Sequence, residues 1–223
     1  MINKKIENQS NDSLFFTRSN LDNSKVDKIV SDALHKADDG ELFMEFCESE
    51  SFVYDDQRLK SASFDTSKGF GLRAIAGESS GYAHSSDIDE NALKKASETV
   101  NFITKDHNAN FNANFSKTNR KLYNEINPIN ETEFSEKVET LKKIDEYARS
   151  KNPNVKQVSA SLNGEWQAVR IYRPGGIMIE DLRPLVRLYV SIVLEKDGRQ
   201  ENGSRGSGGR VAVSYTHLRA HET

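Results

Sequence analysis

Two histidines four positions apart and an adjoining acid, His217, His221 and Glu222, have the spacing in this chain closest to metal chemistry. On a helix that step brings both imidazoles to one face, where a pair of histidines can hold zinc. The stretch that carries them, Val213 to Thr223, coincides letter for letter with the translation of a common transposon sequencing adapter. Residues 213–223 are therefore read as adapter-derived, and the native chain is expected to continue beyond about Ala212. No role is assigned to the three residues.

Other reactive side chains are dispersed. His35, His84 and His107 lie too far apart to form a local metal motif and are expected in surface or capping roles. Cys47 falls in a predicted strand with no Cys or His at ligand spacing, which favours a buried small hydrophobe over a nucleophile. The acidic stretch "DDGELFMEFCESE" lacks the Asp-x-Asp-x-Asp-Gly pattern of a calcium loop, so solvation at a helix end and strand edge is expected. Residues 203–209, "GSRGSGG", differ in kind: their small side chains leave main-chain N–H groups accessible and let an extended peptide approach closely. Gly206, Gly208 and Gly209 are the candidate substrate-binding residues, with a flexible connector as the alternative reading. The segment lacks the Lys-Ser/Thr ending of a phosphate loop. No catalytic or metal-binding residue is assigned.

The elements that would position these groups follow from spacing. The chain has 223 residues, enough for one large or two ordinary domains, and a formal charge of −3 that gives no reason to expect nucleic acid as a partner. One cysteine excludes an internal disulfide. No apolar run approaches the roughly 18 residues of a spanning helix, residues 1–20 lack a signal-peptide core, and a cytoplasmic protein is expected with no membrane partner. Residues 1–19 read as a polar, loosely docked arm, and 20–104 as a first domain. Within the latter, apolar residues from Val26 to Ala37 predict a helix behind caps at Asp22 or Asn23. Four or five short strands follow between Glu41 and Ser85, then a helix opened by Asp87 or Asp89 that carries Leu93, Ala96 and Val100. An Asn-rich linker is placed at 105–121, with Phe111 and Phe115 as anchors. Residues 122–212 form a second region: a helix containing Phe134, Val138, Leu141, Ile144, Tyr147 and Ala148, then alternating strands. Asn163-Gly164 is the strongest hairpin signal and Pro174-Gly175-Gly176 a further turn. The fold class is α+β: short antiparallel strands with flanking helices, then a helix and an antiparallel sheet of an incomplete second region.

The succession "DGELFMEFCESESFVYDDQRLKSASFDTSKGFGLRAIAGESSGYAHSSDI" resembles the first domain of the TldD branch of the TldD/PmbA metallopeptidase family. The resemblance continues through "VSASLNGEWQAVRIYR" and "DLRPLVRLYVSIVLEKDGRQENGS", covering about residues 20–211. Arg205 interrupts the more uniformly Gly-rich run of that family. The resemblance implies a cytoplasmic, zinc-dependent peptidase acting on unfolded or extended peptides, in two-subunit assemblies that often pair a zinc-bearing subunit with a metal-free paralogue. It also implies zinc held by a His-Glu-x-x-x-His helix and a later cysteine, a motif that no native position here matches. The chain is accordingly expected to be an inactive fragment that binds no zinc, the full-length protein being the enzyme. A stand-alone peptide-binding or scaffold module is the alternative.

Overall fold

The computed structural model describes residues 11–17, 19–105, 107 and 122–210. Its helices are α1 (Asn11–Phe16), α2 (Asn23–Leu34), α3 (Glu90–Thr104), α4 (Pro128–Glu131) and α5 (Phe134–Lys151). Its strands are β1 (Asp39–Asp55), β2 (Arg58–Ala76), β3 (Ser79–Ser85), β4 (Val155–Arg173), β5 (Ile177–Lys196) and β6 (Arg199–Gly209), in one sheet of order β3-β2-β1-β4-β5-β6. The fold is α+β. The linker expected at 105–121 falls almost entirely outside the described residues, as do Phe111, Phe115, His217, His221 and Glu222.

The strands are long where short ones were expected. β1 runs unbroken through Glu48 to Ser51 and β2 through Asp65 to Ser67, so the region 41–85 holds three strands. Their polar middles look like breaks because alternation is legible only where one face is buried by apolar side chains. Asn163-Gly164 likewise lies inside β4 and makes no turn. The β4–β5 turn uses Gly175 and Gly176, at φ 89° and 74°. The β5–β6 turn is Asp197-Gly198, at φ 54° and 78°, the left-handed pair of a tight hairpin.

The chain divides into two compact units that are not contiguous in sequence. The first comprises Met1–Phe46, Ser67–Arg120 and Ala168–Asp181. Here Asp22 and Asp89 cap α2 and α3, their carboxylates accepting from the Lys25 and Ala92 N–H groups at 2.8 Å each. The helices bury Val26, Val30, Leu34, Leu93 and Val100 together with Leu42, Met44, Leu72 and Ala74 of the strands. The arm is not merely polar chain: the island at Leu14–Phe16 forms part of α1, and Phe15 is only 2% exposed.

The second unit comprises Cys47–Thr66, Lys121–Gln167 and Leu182–Thr223. Its core is Phe52, Tyr54, Leu141, Ala160, Leu162 and Val186, with Val138, Ile144, Leu188 and Val190 packed around it. The inner line of α5 is Lys137, Leu141, Asp145 and Ala148, while Phe134 and Tyr147 are about half exposed. Both buried charges are paired: Lys137 with Glu50, and Asp145 with Arg149 at 2.8 Å. Arg149 also reaches Asp56 at 2.6 Å, and the Gln57 N–H points to Asp145 at 3.4 Å. The β1–β2 turn, whose Asp56 and Gln57 both have positive φ, is thereby clasped to α5.

Candidate functional site

The Gly/Ser segment is strand. Residues 203–209 complete β6, paired antiparallel with β5 so that Gly206 faces Tyr189, Gly208 faces Arg187 and Gly209 faces Val186. β6 stands last in the strand order, so among the described residues it has no strand partner beyond β5, and its residues are exposed from Arg199 to Gly208. Such an edge presents unpaired main-chain groups to any extended segment that aligns with it. The connector reading is thereby set aside: Asp197-Gly198 turns the chain back, and the Gly/Ser run pairs along β5.

The glycines are not equivalent. A side chain at Gly203 would meet nothing within 4 Å, and one at Gly206 would make ordinary contact with Tyr189 Cδ2 at 3.6 Å. A Cβ at Gly208 would instead collide with the Val186 carbonyl oxygen, so this residue is glycine for the sake of its own strand pairing. Gly206 and Gly203 are the positions whose smallness serves no packing need. The turn end of the hairpin is tied at Glu195: its carboxylate accepts from Gln200 Nε2 at 2.9 Å and faces Lys156 Nζ at 3.7 Å. The Gln200 hydrogen bond first, and Lys156 second, hold that carboxyl below its ordinary pKa.

The remaining candidates are separate. His35 Nδ1 lies 2.7 Å from the Asp32 carbonyl at the end of α2, and His84 stacks on Tyr82 with centroids 5.7 Å apart. His107 Nε2 meets Asp38 Oδ2 at 2.8 Å, and that same oxygen accepts the Gly77 N–H at 2.6 Å. The Gly77 hydrogen bond and then His107 lower the Asp38 pKa. Cys47 is half-buried, because it lies on the opposite face of β1 from the buried Met44, Glu50 and Phe52. Within the acidic stretch, Glu41 pairs with Arg173 at 2.8 Å, Glu48 accepts from Asn127 at 2.6 Å, and Glu50 is 3% exposed. Glu50 is therefore a buried partner of Lys137 where a solvated edge was expected. Among the described residues no group of three His, Cys, Asp or Glu could hold a metal ion. Among the described residues the donor set does not fit a zinc centre.

Residues 40–101 match the PmbA/TldA metallopeptidase domain 1, and residues 127–221 match the PmbA/TldA metallopeptidase central domain. The second match runs past Ala212 into the stretch that coincides with the adapter translation, outside the described residues. A Haemophilus influenzae protein named Metalloprotease TldD homolog is 34% identical over 203 residues, covering 89% of this chain and 42% of the relative. A protein of the same name from Buchnera aphidicola subsp. Schizaphis graminum is 28% identical over 201 residues, again 89% of this chain and 42% of the relative. The fold is similar to a crystal structure from Bacteroides thetaiotaomicron, described as a candidate modulator of DNA gyrase. There the TM-score is 0.65 at 14% identity, covering 84% of this chain and 45% of that one. It is also similar to TldE from Thermococcus kodakarensis, with TM-score 0.51 and 19% identity over 77% of this chain and 40% of that one. The chain thus spans less than half the length of the relatives it matches. With domain 1 followed by the central domain in chain order, and with TldD homologues as its sequence relatives, the chain belongs to the PmbA/TldD metallopeptidase family.

Proposed function

We propose that the full-length protein is a zinc-dependent, TldD-like peptidase of the cytoplasm acting on unfolded or extended peptides. In this reading the present chain supplies its first and central domains and binds no zinc itself. The zinc-bearing part lies in the share of its relatives' length that this chain does not span. The observation that carries the reading is the ordered pair of family matches within a chain that covers 42% of relatives named metalloprotease. In this reading the protein works in a two-subunit assembly with a second copy or a family paralogue.

Within that enzyme, the outer edge of β6 from Gly203 to Gly209 lines the path of the substrate peptide. Edge pairing reads main chain and accepts many side chains, as a peptidase for unfolded segments requires. Support comes from the outermost place of β6 and from the absence of any packing need for small residues at Gly203 and Gly206. In the full-length protein, Gly203→Val and Gly206→Val are expected to raise KM for an unstructured peptide while zinc content and kcat stay close to wild type. Unchanged KM in both variants would reduce β6 to a bare sheet edge. Loss of cleavage on chelation, restored by added zinc, is expected of the wild type, and its failure would end the peptidase reading.

A further inference from the structure

The most heavily tied side chain of the first unit belongs to no site described above. Arg170 on β4 is 1% exposed, and among the described residues its guanidinium makes its polar contacts to side chains. Nη1 meets Asp12 Oδ1 of α1 at 2.8 Å and donates to Asn23 Oδ1, at the start of α2, at 2.9 Å. Nε donates to Glu180 Oε1 of β5 at 2.8 Å, and Nη2 pairs with the same carboxylate. The Tyr172 hydroxyl donates to Asn23 Oδ1 at 2.6 Å, and Asn23 Nδ2 donates to Asp12 Oδ1 at 3.1 Å. Cζ lies 5.1 Å from the Phe15 ring centroid and 5.5 Å from that of Phe16, within cation–π range of both.

The α1 helix therefore meets this seat with three side chains at helical spacing: the Asp12 carboxylate and, three and four residues on, two phenyl rings. Six residues are far too few for a helix to persist alone in water, where roughly 12–15 are marginal even in favourable sequences. Its helical form must come from the seat. Removing α1 leaves Arg170 with Glu180, so release does not strand a lone buried charge.

We propose that α1 is a strap that docks and releases as a unit, and that its seat, built on Arg170, Tyr172 and Asn23, is a docking site for a short helix bearing a carboxylate followed by two aromatic rings. The resident occupant is the chain's own α1. Released, it uncovers a guanidinium beside a phenyl-sized apolar recess, a surface selective for such a segment. This inference stands independently of the peptidase reading.

Native-state hydrogen exchange on the whole chain tests it. In the wild type, amides of 11–17 should exchange more slowly than in a synthetic peptide of residues 9–20, yet open at lower denaturant than those of α2 and α3. In Asp12→Ala/Phe15→Ala, α1 amides should accelerate by about tenfold or more to the free-peptide rate, while α2 and α3 keep their protection. The wild-type 9–20 peptide added to that variant should bind saturably and restore protection to residues 168–181. Joint opening of α1 with α2 in the wild type, free-peptide exchange of α1 in the wild type, or no peptide binding at millimolar concentration would each overturn the proposal. The wild-type arm decides the matter even where the variant fails to fold.

Discussion

Lys137 of α5 and Glu50 of β1 form a buried ion pair, with Nζ 2.7 Å from each carboxylate oxygen and 2.7 Å from the Ile129 carbonyl. Side-chain exposures of 2% and 0% place the pair out of water, and Nζ lies 5.7 Å from the Phe52 ring centroid. All three ammonium hydrogens thus have an acceptor. Breaking one member should cost about 3–5 kcal/mol, because the other charge is left buried and unpaired. Lys137→Met and Glu50→Gln are each expected to lower the denaturant midpoint sharply. Lys137→Met/Glu50→Leu should recover most of the loss, a non-additivity that a double-mutant cycle would measure.

Gly164 belongs to the same arrangement. A Cβ there would sit 3.0 Å from both Cγ and Oε1 of Glu50, so the glycine opens room for the buried carboxylate. Gly164→Ala should destabilise the chain by about 1–3 kcal/mol through overpacking. It should cost markedly less when combined with Glu50→Ala, and equal costs in the two backgrounds would refute the coupling.

These residues show where sequence reading stops. The caps at Asp22 and Asp89, the apolar lines of α2 and α3 and the α+β class were legible because each rests on local spacing. Glu50 reads as a break and Asn163-Gly164 as a turn, since burial of a charge and the need for an absent side chain are both set by a partner 87 residues away or across the sheet. Lys137 and Asp145 disguise the inner line of α5 for the same reason, leaving Phe134 and Tyr147 to suggest a face that the structure leaves half exposed. At the candidate site, the glycine content was visible but its strand pairing was not. The signal that would have found it is Asp197-Gly198, a tight-turn dipeptide directly after an alternating strand.

Acid should weaken the first unit at the β2–β3 turn. Hydrogen bonding to Gly77, and then to His107, holds the Asp38 pKa below its ordinary 3.8. A carboxyl depressed by folding contributes stability that is fully present above its unfolded pKa and is lost as pH falls through the folded value. Unfolding free energy measured between pH 6 and about pH 2 should therefore fall, and Asp38→Asn should flatten part of that fall by lowering stability near neutrality while changing little at the acid end. An identical pH profile in the variant would refute the assignment.

The β5–β6 hairpin exposes main-chain edge along β6 and apolar surface on β5, where Tyr189 is 48% exposed and Leu188, Val190, Ile192 and Leu194 are only half-buried. In full-length relatives this surface has further protein available to cover it. The chain of 223 residues is expected to self-associate at micromolar concentration, as is a version limited to residues 20–211. Light scattering would show it, and Tyr189→Lys should reduce it. A clean monomer at those concentrations would contradict the expectation.

The central claim, that this chain is the front part of a longer metallopeptidase, is tested most directly by reading the uninterrupted gene past the codon for Ala212. The account predicts an open frame that continues into a His-Glu-x-x-x-His helix and a later cysteine, on a protein about as long as its TldD relatives. A native stop codon shortly after Ala212 would contradict it.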